Sequence, residues 1–219
     1  SGLIPFMEHK ERAVRKSAYE AYSGFFLEHE AEFDRIYDEL VKVRTRMAKK
    51  LGYENYVQMA YDSLLRTEYG PKEVAGYREA ILNHIVPVVK DLRVRQAKRL
   101  GLDGLKYYDE AIEFTTGNAT PKGSPEWIIE NGKKMYEELS PETKEFFDFM
   151  TEHELLDLVT KKGKQAGGYC TYIADHKAPF IFSNFNGTSG DIDVLTHEAG
   201  HAFQVYSSRH YEVPEYSFP

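Results

Sequence analysis

Apolar residues recur every three or four positions through the first hundred residues, the period of helices with one apolar face. A first helix is predicted over 11–22 and a longer one over 28–51, ended by Gly52. In the longer one Phe33, Ile36, Tyr37, Leu40, Val43 and Met47 fall on a single stripe, which reads as buried. Val57, Ala60, Tyr61, Leu64 and Leu65 repeat the spacing. Gly70-Pro71 then breaks it. Pro71 suits the first position of a helix running toward Leu100, kinked near Pro87 and ended by Gly101.

Residues 101–124 are rich in Gly and Pro and read as an irregular connection containing a short strand over 111–115. Ser124-Pro125-Glu126 and Ser140-Pro141-Glu142 each place a capping Ser, a Pro and an acid in the order that starts a helix. They predict helices over 125–138 and 141–159. Beyond Lys161 the texture changes to a glycine-rich stretch and then to strand formers over 169–173 and 178–185, a small hairpin or sheet. Thr188-Ser189-Gly190-Asp191 resembles a capping box opening a last helix whose apolar face is Leu195, Ala199, Ala202, Phe203 and Tyr206. The expected fold is mainly α, with a helical scaffold over 1–160 and a small β-sheet or hairpin plus a helix over 161–219, in one structural unit.

The 219 residues are 42% hydrophobic and 14% aromatic, enough to bury a core and to exclude wholesale disorder. Asp and Glu outnumber Lys and Arg by 35 to 28, so no global positive field gathers nucleic acid. The densest basic stretch, 90–99, has apolar residues at helical intervals and reads as a solvated helix face. A single cysteine, Cys170, forbids an intrachain disulfide, and no apolar run reaches the roughly 20 residues that cross a bilayer. Both point to a cytoplasmic protein without a membrane partner. The opening residues lack a basic n-region and an initial Met, which reads as a chain processed or excised from something longer.

The chemistry lies in the last helix, as His197-Glu198-Ala199-Gly200-His201. Residues four apart share a helix face, so both imidazoles can reach one Zn2+ ion while Glu198 stands beside the open side as general base. The position left for water makes this a hydrolase constellation. A metzincin would need Gly and His where Gln204 and Ser207 stand, and His210 comes three positions too late. Glu212 and Glu215 are the acids after the motif, and Pro214 disfavours a continuous helix carrying either as ligand. The third ligand is therefore expected outside this chain. Asp193, four residues before His197, reads either as a carboxylate orienting that imidazole or as a first-turn acid favoured by the helix dipole. Cys170 has no His nearby in sequence and no second Cys, and reads as a structural thiol.

Gly167-Gly168-Tyr169-Cys170, Pro179-Phe180-Ile181, Asn184-Phe185, Gly187-Thr188 and Asp193-Val194 leading into the His-Glu motif resemble the M3 family of zinc peptidases, in its oligoendopeptidase F branch. Arg12-Ala13-Val14-Arg15 extends the resemblance to most of the chain. The resemblance implies a helical, zincin-like peptidase region enclosing a channel, with one zinc ion held by His197 and His201 and short peptides as substrates. It also implies that 180–185 is an edge strand, with Phe182, Ser183 and Asn184 binding the peptide backbone. The family's third ligand, a Glu on a later helix, and its oxyanion-stabilising Tyr and His lie past Pro219 by this reading. The remainder of the catalytic domain would complete the site, and the chain alone would bind zinc weakly. The competing reading is a noncatalytic helical peptide-binding module with a vestigial zinc motif.

Overall fold

A computed structural model describes residues 2–213. It contains nine α-helices and a three-stranded sheet among those residues, divided between two compact units. One unit is His9–Thr116; the other joins the residues up to Glu8 with those from Gly117 onward. The boundary between the two units lies near Gly117, so the helices Pro125–Leu139 and Pro141–Glu152 group with the sheet.

A short helix, α1 (Ile4–Met7), precedes the helical unit, which contains α2 (Arg12–Glu28), α3 (Glu30–Lys50), α4 (Tyr56–Ser63), α5 (Pro71–Ala80) and α6 (Val86–Arg99). In α3, acids fill the first turn and lysines the last, matching the helix dipole, and Arg35 bridges Glu32 and Glu39. Gly52 and Gly101 take φ of +85° and +68° where α3 and α6 end, the left-handed geometry that favours glycine. The kink expected near Pro87 is a π-helical turn, Ile81–Ile85, between α5 and α6. Pro87 lacks an N–H and its ring crowds the preceding turn, so the ladder widens just before it.

Two expectations fail in this unit. No strand forms over 111–115. Gln96 donates to the carbonyls of Glu110 and Ile112, and the Arg99 Nε to that of Glu113, so these acceptors are engaged by side chains rather than by a strand. The α3 stripe is also not buried: Phe33, Ile36, Leu40, Val43 and Met47 are each more than two-fifths exposed, and Tyr37 more. Beside small buried apolar residues such as Ala48 and the enclosed Ile112, the buried groups here are polar. Asp109 is fully enclosed and accepts from Arg12, at 2.7 and 3.0 Å, from Arg15 at 2.9 Å and from the Lys106 N–H at 3.0 Å.

The second unit contains α7 (Pro125–Leu139), α8 (Pro141–Glu152), β1 (Leu156–Val159), β2 (Tyr169–Ile173), β3 (Ala178–Phe185) and α9 (Gly190–Ser208). Ser124 and Ser140 cap α7 and α8 as expected, each accepting the N–H three residues on. α8 stops well short of 159. Glu154 turns left-handed, the Leu155 N–H returns to the Met150 carbonyl, and the alternating Leu156-Asp157-Leu158-Val159 leaves as a strand.

The sheet order is β1-β3-β2, with β1 parallel and β2 antiparallel to β3. This corrects the expected edge strand: 180–185 belongs to the central strand, paired on one side through Tyr169↔Phe182 and on the other through Leu156↔Ile181. Its inward residues Ile181 and Phe185 join Phe146, Phe147 and Met150 of α8, Tyr136 of α7 and Leu195, Ala199 and Ala202 of α9 in one core. The capping box expected at α9 does not form either. Asp191 turns back and accepts from the N–H groups of Asn186 and Gly187, both at 2.8 Å, tying the helix start to the end of β3. No helix of the described residues is long and apolar enough to cross a membrane.

Candidate active site

α9 presses Leu195, Ala199 and Ala202 into the core, and the helical period therefore turns His197 and His201 outward. Their Nε2 atoms converge to 3.2 Å, with the rings nearly perpendicular at 77°. Two imidazole nitrogens bound to a tetrahedral zinc, each about 2.0–2.1 Å from it, stand about 3.3–3.4 Å apart, so the pair fits that ion. Among the described residues no third His, Cys, Asp or Glu joins them into a metal-holding group. Glu215 lies outside the described residues.

Glu198 is half-buried and, with His201, lines a cavity of about 1050 Å³. The opposite wall is Gly168 to Tyr172, nearly all of it β2. β2 is an outer strand with one partner, so one of its backbone edges is free of strand pairing among the described residues. Tyr169, at the start of β2, stacks on Phe182 at 5.0 Å and 13°, and the Lys164 ammonium sits 4.4 Å from the Phe182 ring. Cys170 is half-buried, and burial, with the Glu198 carboxylate adding to it, pushes its thiol up to about 11. A thiol so hard to ionise is no nucleophile at neutral pH, in keeping with its expected structural role.

The structure brings His197, Glu198 and His201 together and places the other expected residues elsewhere. Ser183 is buried, and the Asn184 amide donates to the carbonyls of Gln165 and Gly167, holding the glycine-rich loop in front of β2. Phe182 backs Tyr169. The three support the free edge from behind. Asp193 is an exposed first-turn acid, and no hydrogen bond joins it to His197. Sequence reasoning missed Lys177 and Arg209, which line the cavity. The signal for Arg209 was present, because it stands eight residues after His201 and so on the same helix stripe.

One helix thus carries two convergent imidazoles, and one of them lines, with the Glu198 carboxylate, a cavity walled by β2, an arrangement that makes this the candidate peptidase site. Residues 5–217 match the family model described as Peptidase family M3, and the chain belongs to that family. The group B oligopeptidase PepB of Streptococcus agalactiae is 28% identical over 215 residues, 94% of this chain and 33% of the relative. The chromosomal oligoendopeptidase F of Lactococcus lactis subsp. cremoris is 28% identical over 208 residues, 93% of this chain and 33% of the relative. Among solved structures, PZ peptidase A with an inhibitor superposes with a TM-score of 0.96 at 65% identity, over 99% of this chain and 39% of that one. A Bacillus anthracis protein assigned as an oligoendopeptidase F gives 0.94 at 64%, over 99% and 40%. The chain spans about a third of the length of the curated relatives it matches.

Proposed function

We propose that this chain is the metal-binding part of a zinc-dependent oligoendopeptidase that hydrolyses short peptides. The observation that carries the reading is the 3.2 Å convergence of the His197 and His201 Nε2 atoms beside a cavity that Glu198 also lines. His197 and His201 would hold the ion, and the third ligand comes from a part of the family's length that the chain does not span. Zinc, when bound, polarises a carbonyl and acidifies water at its open position. Glu198 takes the proton from the attacking water and passes it to the departing amine. The peptide backbone lies antiparallel along the free edge of β2, whose N–H and C=O groups hold any sequence in the same extended register. This moves the substrate edge from β3 to β2 and leaves Phe182, Ser183 and Asn184 as its support.

Replacing Glu198 tests the reading. In a protein spanning the family's full length and supplied with zinc, Glu198→Gln lowers kcat on a quenched-fluorescence peptide by about 10²- to 10⁴-fold with metal content unchanged. His201→Ala loses the metal itself. If Glu198→Gln cleaves as well as the parent, Glu198 is not the base, and if no form binds zinc the noncatalytic peptide-binding module becomes the better account.

A further inference from the structure

We propose that the cavity end remote from Gly168 selects peptides with an acidic side chain three or four residues before the bond that is cut, read by Arg209 with Lys177 as a second cation. The inference rests on the peptidase reading and deepens it.

Strand and helix advance in the same direction along the cavity. A Cβ placed on Gly168 would lie 3.5 Å from Val194 Cγ1, and two residues further along β2 Cys170 lines the same cavity as Glu198, four residues further along α9. Two strand residues and four helix residues cover about the same distance, roughly 6–7 Å, so the two elements stay in step. Lys177 follows β2 in its turn with φ of +47°, and Arg209 follows the last residue of α9. Both line the cavity, so both stand at its far end.

Arg209 is held as a group that reads anions. Its guanidinium lies 3.8 Å from the centre of the Tyr206 ring and 4.7 Å from that of Phe149. Tyr206 is itself fixed by donating to Glu145 at 2.8 Å. Stacking on rings leaves the planar donor edge of a guanidinium for a carboxylate, a geometry that a lysine cannot copy. No ion pair with Arg209 or the Lys177 ammonium is formed among the described residues, and the Arg209 guanidinium also donates toward the Tyr206 hydroxyl. The other charged groups on the cavity wall are Glu198, at the motif, and Glu212.

Distance and direction then fix the position read. Arg209 stands eight residues past His201, about 12 Å along the helix, which an extended peptide covers in three to four residues. A peptide antiparallel to β2 runs against α9, so its amino-terminal side points toward Arg209.

The test uses a zinc-loaded protein spanning the family's full length and quenched-fluorescence peptides that differ only in Glu, Gln or Lys at the fourth residue before the cut, beside a set varied at the fourth residue after it. Glu is expected to raise kcat/KM over Gln by about ten-fold, carried by KM, with Lys lowest and the ratio shrinking at high salt. Arg209→Met brings the Glu-to-Gln ratio near one, Arg209→Lys keeps part of it, and Lys177→Gln lowers it by about two-fold. Labelled peptides binding the Glu198→Gln variant read the same preference without turnover. Equal Kd for the Glu, Gln and Lys peptides overturns the charge reading alone. A Glu preference in binding, with no cleavage by the parent protein, overturns the catalytic reading alone. A preference on the carboxyl side of the cut, or an Arg209→Met protein that unfolds at lower temperature with the ratio intact, also overturns the proposal.

Discussion

The two units are held together by opposite means. In the sheet-bearing unit Phe146, Phe147, Met150 and Ile181 are fully enclosed, and α7, α8, β1, β3 and α9 all contribute to that core. In the helical unit the fully enclosed polar residue is Asp109, while Phe25, Phe26, Phe33 and Leu40 stay more than two-fifths exposed. Its helices are organised by caps, by i, i+4 charge pairs such as Lys42 with Asp38, and by the Arg12–Asp109–Arg15 knot. The helix that carries His197 and His201 sits in the unit with the non-local apolar core. Convergence of two imidazoles needs a rigid support, and a core of close-packed rings resists displacement better than a solvated helix face does.

Equal chemical changes in the two units should therefore have unequal consequences. Phe147→Ala empties a site stacked on Tyr136 at 4.9 Å and is expected to cost about 3–5 kcal/mol. Phe33→Ala, on a face that is already solvated, is expected to cost under about 1 kcal/mol. Native-state hydrogen exchange, read separately in α8 and α3, checks this, and comparable losses in the two would erase the contrast.

In the helical unit a single polar change should act like a core mutation. Asp109→Asn removes the charge that Arg15, 3% exposed, is paired with, and breaking such a buried pair costs about 3–5 kcal/mol. The same knot gives this unit an acid sensitivity. Burial alone would raise the Asp109 carboxyl, but hydrogen bonds from Arg12, the Lys106 N–H and Arg15 outweigh it and hold the group down to about 2. A carboxylate depressed on folding contributes stability that is present above its unfolded pKa, near 3.8, and lost as pH falls through about 2. Between pH 4 and 2 the exchange protection of α2 should drop by about 2 kcal/mol, and Asp109→Asn should remove that component of the pH dependence.

Legibility followed the same division. Helix ends marked by local chemistry were readable: Gly52, Gly101, Pro71, Ser124 and Ser140 all stand where the sequence implied. The His197–His201 convergence was readable too, because i, i+4 geometry is a property of one helix. Burial of the α3 stripe was not, since a period says which face is apolar and nothing about what covers it. Nor was the order of the strands. Leu156 to Val159 has the composition of a helix end, and its place beside β3 is set by partners more than twenty residues away. That unread strand made β3 central and moved the free edge to β2. The Asp191 turn escaped notice for a similar reason, because the groups it accepts from lie behind it in the chain and not in its own helix.

The smallest expected difference separates two caps of the same kind. Ser140 accepts from the Thr143 N–H at 3.2 Å, and the Thr143 hydroxyl in turn donates to the Tyr136 carbonyl at 2.7 Å, so this cap also fastens α7 to α8 over buried Thr143. Asn55 accepts from the Val57 N–H at 2.9 Å in full solvent and fastens only the first turn of α4. Ser140→Ala should cost toward 2 kcal/mol and Asn55→Ala about 0.5 kcal/mol, the two ends of the range for a lost cap. Water can satisfy the freed N–H at Val57, whereas at Thr143 it must enter a packed joint. Local exchange at the first turns of α4 and α8 measures both. A cost at Asn55 equal to that at Ser140 would mean that the caps act alike and that the second unit's rigidity lies in its apolar core alone.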